Sequence, residues 1–229
     1  MVPRIVVLIS ADAEWRVVRE HYSWVVPGKS PFGETLSLTQ GGYTLDLVQG
    51  GWGKIAAAAS CQYACDAYHP DLLVNLGTCG GLQGLVPRGA VLLVERTLVY
   101  DIIEQMGDPV EAIAHYTTEV DLSFLHPPYP QEVWRGLLVS ADRDIVPADI
   151  PMLRSRYAAI AADWESGAIA WTAARNHKRL LILRGVTDLV NEEGGEAYGS
   201  LDMFRTNTRQ VMTGLLAGLP AWLDCVFQE

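Results

Sequence analysis

Five short segments of the chain gather the side chains that could do chemistry. Asp12 and Glu14 follow a first apolar run, Gly50-Gly-Trp-Gly-Lys54 a second, Gly77-Thr-Cys-Gly-Gly81 a third and Thr187-Asp188 a fourth, while Asp163-Trp-Glu-Ser-Gly-Ala-Ile-Ala170 carries Glu165 at the head of a predicted helix. Carboxylates serve acid–base chemistry when they are held near a ligand. Each segment also has a simpler reading. Gly51, Gly53, Gly77, Gly80 and Gly81 could only make tight strand-to-helix turns. Asp12 and Asp188 could be helix N-caps, and Glu165 could be a solvated first-turn residue favoured by the helix dipole. Spacing alone leaves both readings open.

The elements that would position these groups follow from hydrophobic pattern. Ile5-Val-Val-Leu-Ile9 is continuous and β-branched, as in a strand covered on both faces, and Ala11 to His21 reads as a helix. Thr35 to Thr39 and Tyr43 to Val48 straddle Gly41-Gly42 as in a hairpin, and Lys54 to Tyr68 is an alanine-rich helix. Asp71 to Leu76, Val91 to Val94, Leu137 to Ser140 and Leu180 to Val186 predict buried strands; Glu165 to Asn176 and Phe204 to Leu216 predict helices. The sum is an α/β fold: a single-domain three-layer sandwich over residues 1–229, with a mixed central sheet flanked by helices. Ligands of such sheets bind beyond the carboxyl ends of strands, where the polar segments fall. Asp101 to Gln131 lacks periodicity and reads as a long loop or excursion beside a site or a subunit contact.

Composition narrows the partners. With 49% apolar and 19% charged residues the chain can bury a large sheet, and a net charge of −10 argues against a phosphate-tracking nucleic-acid binder. The apolar part of the N-terminus is too short for a secretory signal, and no stretch reaches the roughly 18 apolar residues of a membrane span. A cytoplasmic protein with no nucleic-acid or membrane partner is expected. Cys61, Cys65, Cys79 and Cys225 show no metal-type spacing and, in a reducing compartment, no disulfide is expected. The histidines His21, His69, His115, His126 and His177 add no ligand pattern, so neither a metal nor another cofactor is expected.

The order of the polar segments resembles that of the methylthioadenosine/S-adenosylhomocysteine nucleosidases and their relatives in the purine nucleoside phosphorylase/uridine phosphorylase superfamily. Gly51-Trp-Gly-Lys-Ile-Ala-Ala57 is similar to that family's Gly-Ile-Gly-Lys-Val-Ala-Ala, and Asn75-Leu-Gly-Thr-Cys-Gly-Gly81 to its Asn-Thr-Gly-Ser-Ala-Gly-Gly. Ser140-Ala-Asp142 resembles Ser-Gly-Asp, Ala162-Asp-Trp-Glu-Ser-Gly-Ala168 resembles Val-Glu-Met-Glu-Ala-Thr-Ala, and Arg184-Gly-Val-Thr-Asp188 resembles Arg-Ala-Ile-Ser-Asp.

The resemblance implies a purine-type nucleosidase acting on a small-molecule 5′-modified adenosine, in a homo-oligomer, usually a dimer. Asp188 matches the general acid that protonates the base at N7, Glu165 the carboxylate that accepts from the ribose hydroxyls, and Glu14, rather than Asp12, the base that activates water. Asp163, Trp164, Thr78, Gly80, Asp144, Ile145 and Phe204 complete the implied substrate-binding set, Phe204 from a segment that closes over the base. Phosphorylases of the superfamily carry an arginine where this chain has Asn75, which points to water as the nucleophile, although Arg16 and Arg19 stand on the first helix. Two departures bear on the substrate. Asp144 stands where the family places an adenine-stacking aromatic, and Trp164 where it places a methionine near the ribose, so the indole either reshapes the sugar end for another 5′ group or packs in the core. Hydrolysis of futalosine-like or other adenosyl-derived nucleosides, phosphorolysis, and non-catalytic nucleoside binding are the alternatives.

Overall fold

A computed structural model describes residues 2–227. The chain runs through β1 (Arg4–Ile9), α1 (Asp12–His21), β2 (Gly28–Ser30), β3 (Gly33–Gln40), β4 (Tyr43–Gln49), α2 (Lys54–Tyr68), β5 (Leu72–Leu82) and β6 (Val91–Val99). It continues with α3 (Pro109–His115), β7 (Thr117–Glu119), β8 (Trp134–Ser140), a 3-10 turn (Pro147–Asp149), α4 (Ile150–Ser155) and β9 (Ala159–Asp163). It closes with α5 (Ser166–Arg175), β10 (Leu180–Asn191), β11 (Gly194–Gly195) and α6 (Leu201–Phe227).

The mixed sheet runs β11-β10-β6-β8-β9-β5-β1-β4-β3-β2, with β7 beside β6 and a further pairing of β10 to β5. That pairing closes β10, β6, β8, β9 and β5 into a ring, a closure that the apolar pattern did not announce. Strand alternation assigns the two faces. Ile5, Val7 and Ile9 of β1 point to a core shared with Trp15 and Val18 of α1 and with Met212, Leu215 and Leu219 of α6. Val6 and Leu8 point to the opposite core, with Ala57 and Cys61 of α2 and Ile169 and Ala173 of α5. The unbroken apolar runs of β1, β5 and β10 thus mark strands buried on both sides, as expected for a three-layer α/β fold.

Several boundaries differ from the sequence reading. Gly77-Thr-Cys-Gly-Gly81 is not a loop: it continues β5, because β10 and β9 supply hydrogen-bonding partners along it. Thr187-Asp188 likewise lies within β10, where a bulge between Val186 and Asp188 inserts one extra residue. Asp188 is therefore no helix cap. The 101–131 excursion contains α3, capped by Asp108 Oδ1 accepting from the Val110 N–H at 2.7 Å, and the short β7. Helix α6 extends well beyond Leu216 and, against expectation, is long and apolar enough to cross a membrane by length and composition. Its apolar side, from Met212 to Val226, faces the α1-side core instead.

Leu183 of β10 is fully buried in that core beside the sheet's ring. Leu183→Ala is expected to lower unfolding free energy by about 2–5 kcal/mol, read by urea denaturation, because the cavity it leaves cannot fully collapse.

Candidate active site

A cleft of about 800 Å³ opens at the carboxyl end of the parallel strands. At one end it is lined by Glu14 and Thr78, at the other by Asp144, Ile145, Asp188 and Phe204, and along its side by Trp52, Asp163, Trp164 and Glu165, with Gly80 in the β5 wall. All the implied site residues line this one cleft. Thr78 and Gly80 are two residues apart on β5, and Asp188 is the register partner of Gly80. Thr78 and Asp188 are thus offset by about 7 Å of strand rise, and alternation turns them to the same face.

Glu14 enters from the first turn of α1 and is 2% exposed. Its Oε1 accepts from the Thr78 N–H at 2.6 Å and the Thr78 hydroxyl at 2.8 Å, and its Oε2 accepts from the Ala11 N–H at 3.1 Å. Asp12 lies at the exposed rim of the cleft, where its carboxylate accepts from Gln49 Nε2 at 2.9 Å.

Behind the carboxylates lies a group that the sequence reading passed over: Arg184, fully buried on β10. Its Nη2 is 2.9 Å from Asp163 Oδ2 and 3.9 Å from Glu165 Oε2, and its Nη1 is 3.8 Å from Glu14 Oε1. Its remaining donors reach Asn75 Oδ1 at 3.0 Å and Ser166 Oγ at 2.9 Å. Asn75, at the position where the phosphorylases carry an arginine, is thus part of this cradle. The guanidinium also explains Gly77, where a Cβ would come within 1.9 Å of Arg184 Nη1. The signal was present as Arg184-Gly-Val-Thr-Asp188, but an arginine inside an apolar strand declares its role only when its partners are known.

Asp163 ends β9 and accepts from Ser140 Oγ at 2.6 Å and from the Glu165 and Ser166 backbone N–H groups at 3.2 and 3.1 Å. With Arg184 it is fully engaged, so it anchors the start of α5 although it lines the cleft. That anchor holds Glu165, whose Oε1 accepts from the Gly53 N–H at 2.9 Å. The Gly53 turn is fixed in turn by Lys54, which is ion-paired with Asp101 and whose N–H donates to Asp142 at 2.7 Å. Trp52 on this turn stands 5.5 Å from Trp164, centroid to centroid, so Trp164 is partly buried at the cleft rather than in the core.

Burial pushes the Glu165 carboxyl up to about 8; the Asp163 and Glu14 carboxylates add to the rise, against the opposing pull of Arg184 and the Gly53 N–H. Asp188 is also raised, chiefly by burial, against the Thr187 hydroxyl that donates to it at 2.8 Å. Burial holds the Cys79 thiol well above its ordinary value, so it stays protonated. Arg16 is exposed and Arg19 pairs with Glu34 at 3.2 Å, so neither serves the cleft. Among the described residues no group of three His, Cys, Asp or Glu side chains is disposed to hold a metal ion.

The raised Glu165 sets a pH dependence. A carboxyl that binds its proton more tightly when folded contributes stability that is fully present below its unfolded value of 4.5 and is lost as pH rises through about 8. Glu165→Gln cannot ionise, so its stability relative to the parent is expected to improve steadily between pH 5 and pH 9, measured by urea unfolding at each pH. A constant difference across that window would count against a raised Glu165.

The phosphorylase superfamily profile matches residues 4–218. Among curated relatives, the 5′-methylthioadenosine/S-adenosylhomocysteine nucleosidase of Buchnera aphidicola subsp. Acyrthosiphon pisum is 27% identical over 62% of this chain and 66% of its own length. The Thermotoga maritima nucleosidase of the same name is 29% identical over 64% of this chain and 66% of its own. The matched stretch therefore spans just under two thirds of these relatives. Among solved structures, the apo 5′-methylthioadenosine nucleosidase of Arabidopsis thaliana superposes with a TM-score of 0.82 at 20% identity, covering 100% of this chain and 97% of that one. The S. pneumoniae 5′-methylthioadenosine/S-adenosylhomocysteine nucleosidase with the transition-state inhibitor MT-ImmA gives 0.76 at 19%, covering 96% and 100%. With the profile running through nearly the whole described chain, this protein belongs to the phosphorylase superfamily.

Proposed function

We propose that this chain is a nucleosidase that hydrolyses the N-ribosidic bond of a purine nucleoside, a 5′-modified adenosine of the methylthioadenosine or S-adenosylhomocysteine type, and releases the free base. One observation carries the reading: Asp188, whose carboxyl burial pushes above its ordinary value, and Glu14, gripped by fixed donors, line the same cleft. Glu14's donor Thr78 and Asp188's register partner Gly80 stand about 7 Å apart along β5. Cleavage needs a proton on the leaving base and negative charge near the sugar as it becomes an oxocarbenium ion. Asp188 gives its proton to N7, which its raised pKa favours. Glu14 takes a proton from the attacking water. Glu165 accepts from the ribose hydroxyls, and their donation favours its ionised form as positive charge grows beside it.

Water is favoured over phosphate by electrostatics. A phosphate dianion at the Glu14 end would meet the carboxyl groups of Glu14, Asp163 and Glu165 around the single Arg184. Arg143, the arginine lining the cleft, pairs with Asp149. At the sugar end Trp52 and Trp164 offer apolar indole walls for a 5′ thioether.

The same reading takes residues 1–229 as one catalytic domain working in the cytoplasm as a homodimer. Support for the dimer comes from Ile55, Ile103 and Met106, which are 85%, 76% and 98% exposed on segments tied together by the Lys54–Asp101 ion pair. A mass of two chains by light scattering is the expected result.

The central test is base release from methylthioadenosine, S-adenosylhomocysteine, adenosine, inosine and a futalosine-type nucleoside, with and without phosphate. Release without phosphate is expected, fastest with a 5′-thio substrate. Asp188→Asn should lower kcat about 10²- to 10⁴-fold while leaving the fold intact. Strict phosphate dependence, or parent-like turnover by the variant, would count against the assignment.

A further inference from the structure

The base end of the cleft lacks the aromatic that the family resemblance leads one to expect, since Asp144 stands there and is exposed. An aromatic ring nevertheless lines that end. It belongs to Tyr198, from the turn that follows β11, and shares the wall with Asp144, Ile145, Asp188 and Phe204.

Tyr198 is held from several directions. Its hydroxyl donates to the Ile145 carbonyl at 3.0 Å, next to the position where the aromatic is missing. Its backbone N–H donates to the Gly195 carbonyl at 3.0 Å, and its ring lies so close to Gly195 that a Cβ there would come within 2.4 Å of Cε1. The Gly194-Gly195 strand pairs with Asn191 and Val190 of β10, just beyond Asp188. Glu196 ties the turn down, accepting from the Leu189 N–H at 2.9 Å and from Arg88 at 2.7 Å. Burial, reinforced by the nearby Asp144 and Asp188 carboxylates, raises the phenol above its ordinary value, so the hydroxyl remains a donor to Ile145. A ring pinned at its tip and at its back still leaves the residue 42% exposed, and it borders the cleft.

We propose that Tyr198 is the base-stacking aromatic of this site, supplied by the β11 turn in place of the residue at Asp144. The assignment rests on the nucleosidase reading and specifies how the base is gripped: the phenol ring covers a purine face while Asp188 addresses its edge. The pinning by Glu196 and Gly195 makes the turn a preformed wall, and the Ile145 contact couples it to the opposite loop.

The test uses the nucleoside cleaved fastest in the panel above and the base it releases as a product inhibitor. Tyr198→Leu should raise KM and the base inhibition constant roughly 5- to 150-fold, the range for a base–aromatic stack worth about 1–3 kcal/mol. Tyr198→Phe keeps the ring and should stay within a few-fold of the parent. Gly195→Ala retains the tyrosine but displaces its ring, and should weaken base binding as Tyr198→Leu does, with an unchanged circular dichroism spectrum. Parent-like KM and base inhibition in Tyr198→Leu, with the parent active, would overturn the Tyr198 assignment alone. Equal losses in Tyr198→Phe and Tyr198→Leu would overturn it in favour of a hydroxyl role. A parent that releases no base from any nucleoside would remove the nucleosidase reading and this assignment with it.

Discussion

The buried guanidinium of Arg184 is the constraint around which the site is organised. A fully buried cation without partners would cost several kcal/mol, so carboxylates and fixed acceptors must meet it. The partners come from four places: Glu14 from the start of α1, Asn75 from β5, Asp163 from the end of β9 and Ser166 from the start of α5. Glu14, Asp163 and Ser166 sit at the carboxyl end of a strand or the first turn of a helix, and Asn75 lies within β5. Arg184 therefore fixes how the helices on both faces begin relative to the sheet, and Gly77 is small because the guanidinium lies against it.

The neutralisation is incomplete, and the surplus is useful. Three carboxyl groups share one positive charge, and they differ in how their lone pairs are satisfied. Glu14 has three donors besides Arg184, and Asp163 has the hydroxyl of Ser140 and two backbone N–H groups. Glu165 receives the Gly53 N–H and a distant guanidinium, and it is the member whose proton affinity rises to about 8. An environment that resists a third negative charge favours a cation placed against it, and disfavours an anion. On the nucleosidase reading proposed above, the same imbalance would support an oxocarbenium-like sugar and oppose a bound phosphate.

Much of this architecture was legible in the sequence, for reasons that can be stated. Lys54–Tyr68 was readable as α2 to the residue, because glycines precede it and no β-branched run interrupts its alanines. β1 was readable because burial on both faces leaves no polar alternation. The ends of β5 and β10 were not, since glycines and polar residues there look like loop when their pairing partners lie about a hundred residues away. β9 was missed because Ala159–Asp163 is short and alanine-rich, and gains strand character only between β8 and β5. Glu14, Glu165 and Asp188 could be nominated from motif order; Arg184 stood in the same motif but its role could not be read, because it is buried in an apolar strand, and Tyr198 lies in a turn with no periodicity.

The bulge in β10 shows why pattern alone stops short of the site. In a regular strand, Arg184 and Asp188 would point to the same face, four residues being an even number of steps. The register shows otherwise: Arg184 pairs with Gly77, Gly185 with Thr78, Val186 with Cys79, and Asp188, not Thr187, with Gly80. One extra residue reverses the parity beyond it. Asp188 is thereby moved to the face that carries Thr78 and Gly80, while Arg184 stays on the Gly77 face with Asp163, Ser166 and Glu14. Without the bulge the residue facing Gly80 would be Thr187, and the Asp188 carboxyl would sit on the same face as Arg184 rather than beside Thr78 and Gly80. That Asp188 and Arg184 point to opposite faces of one strand is a consequence of that single inserted residue.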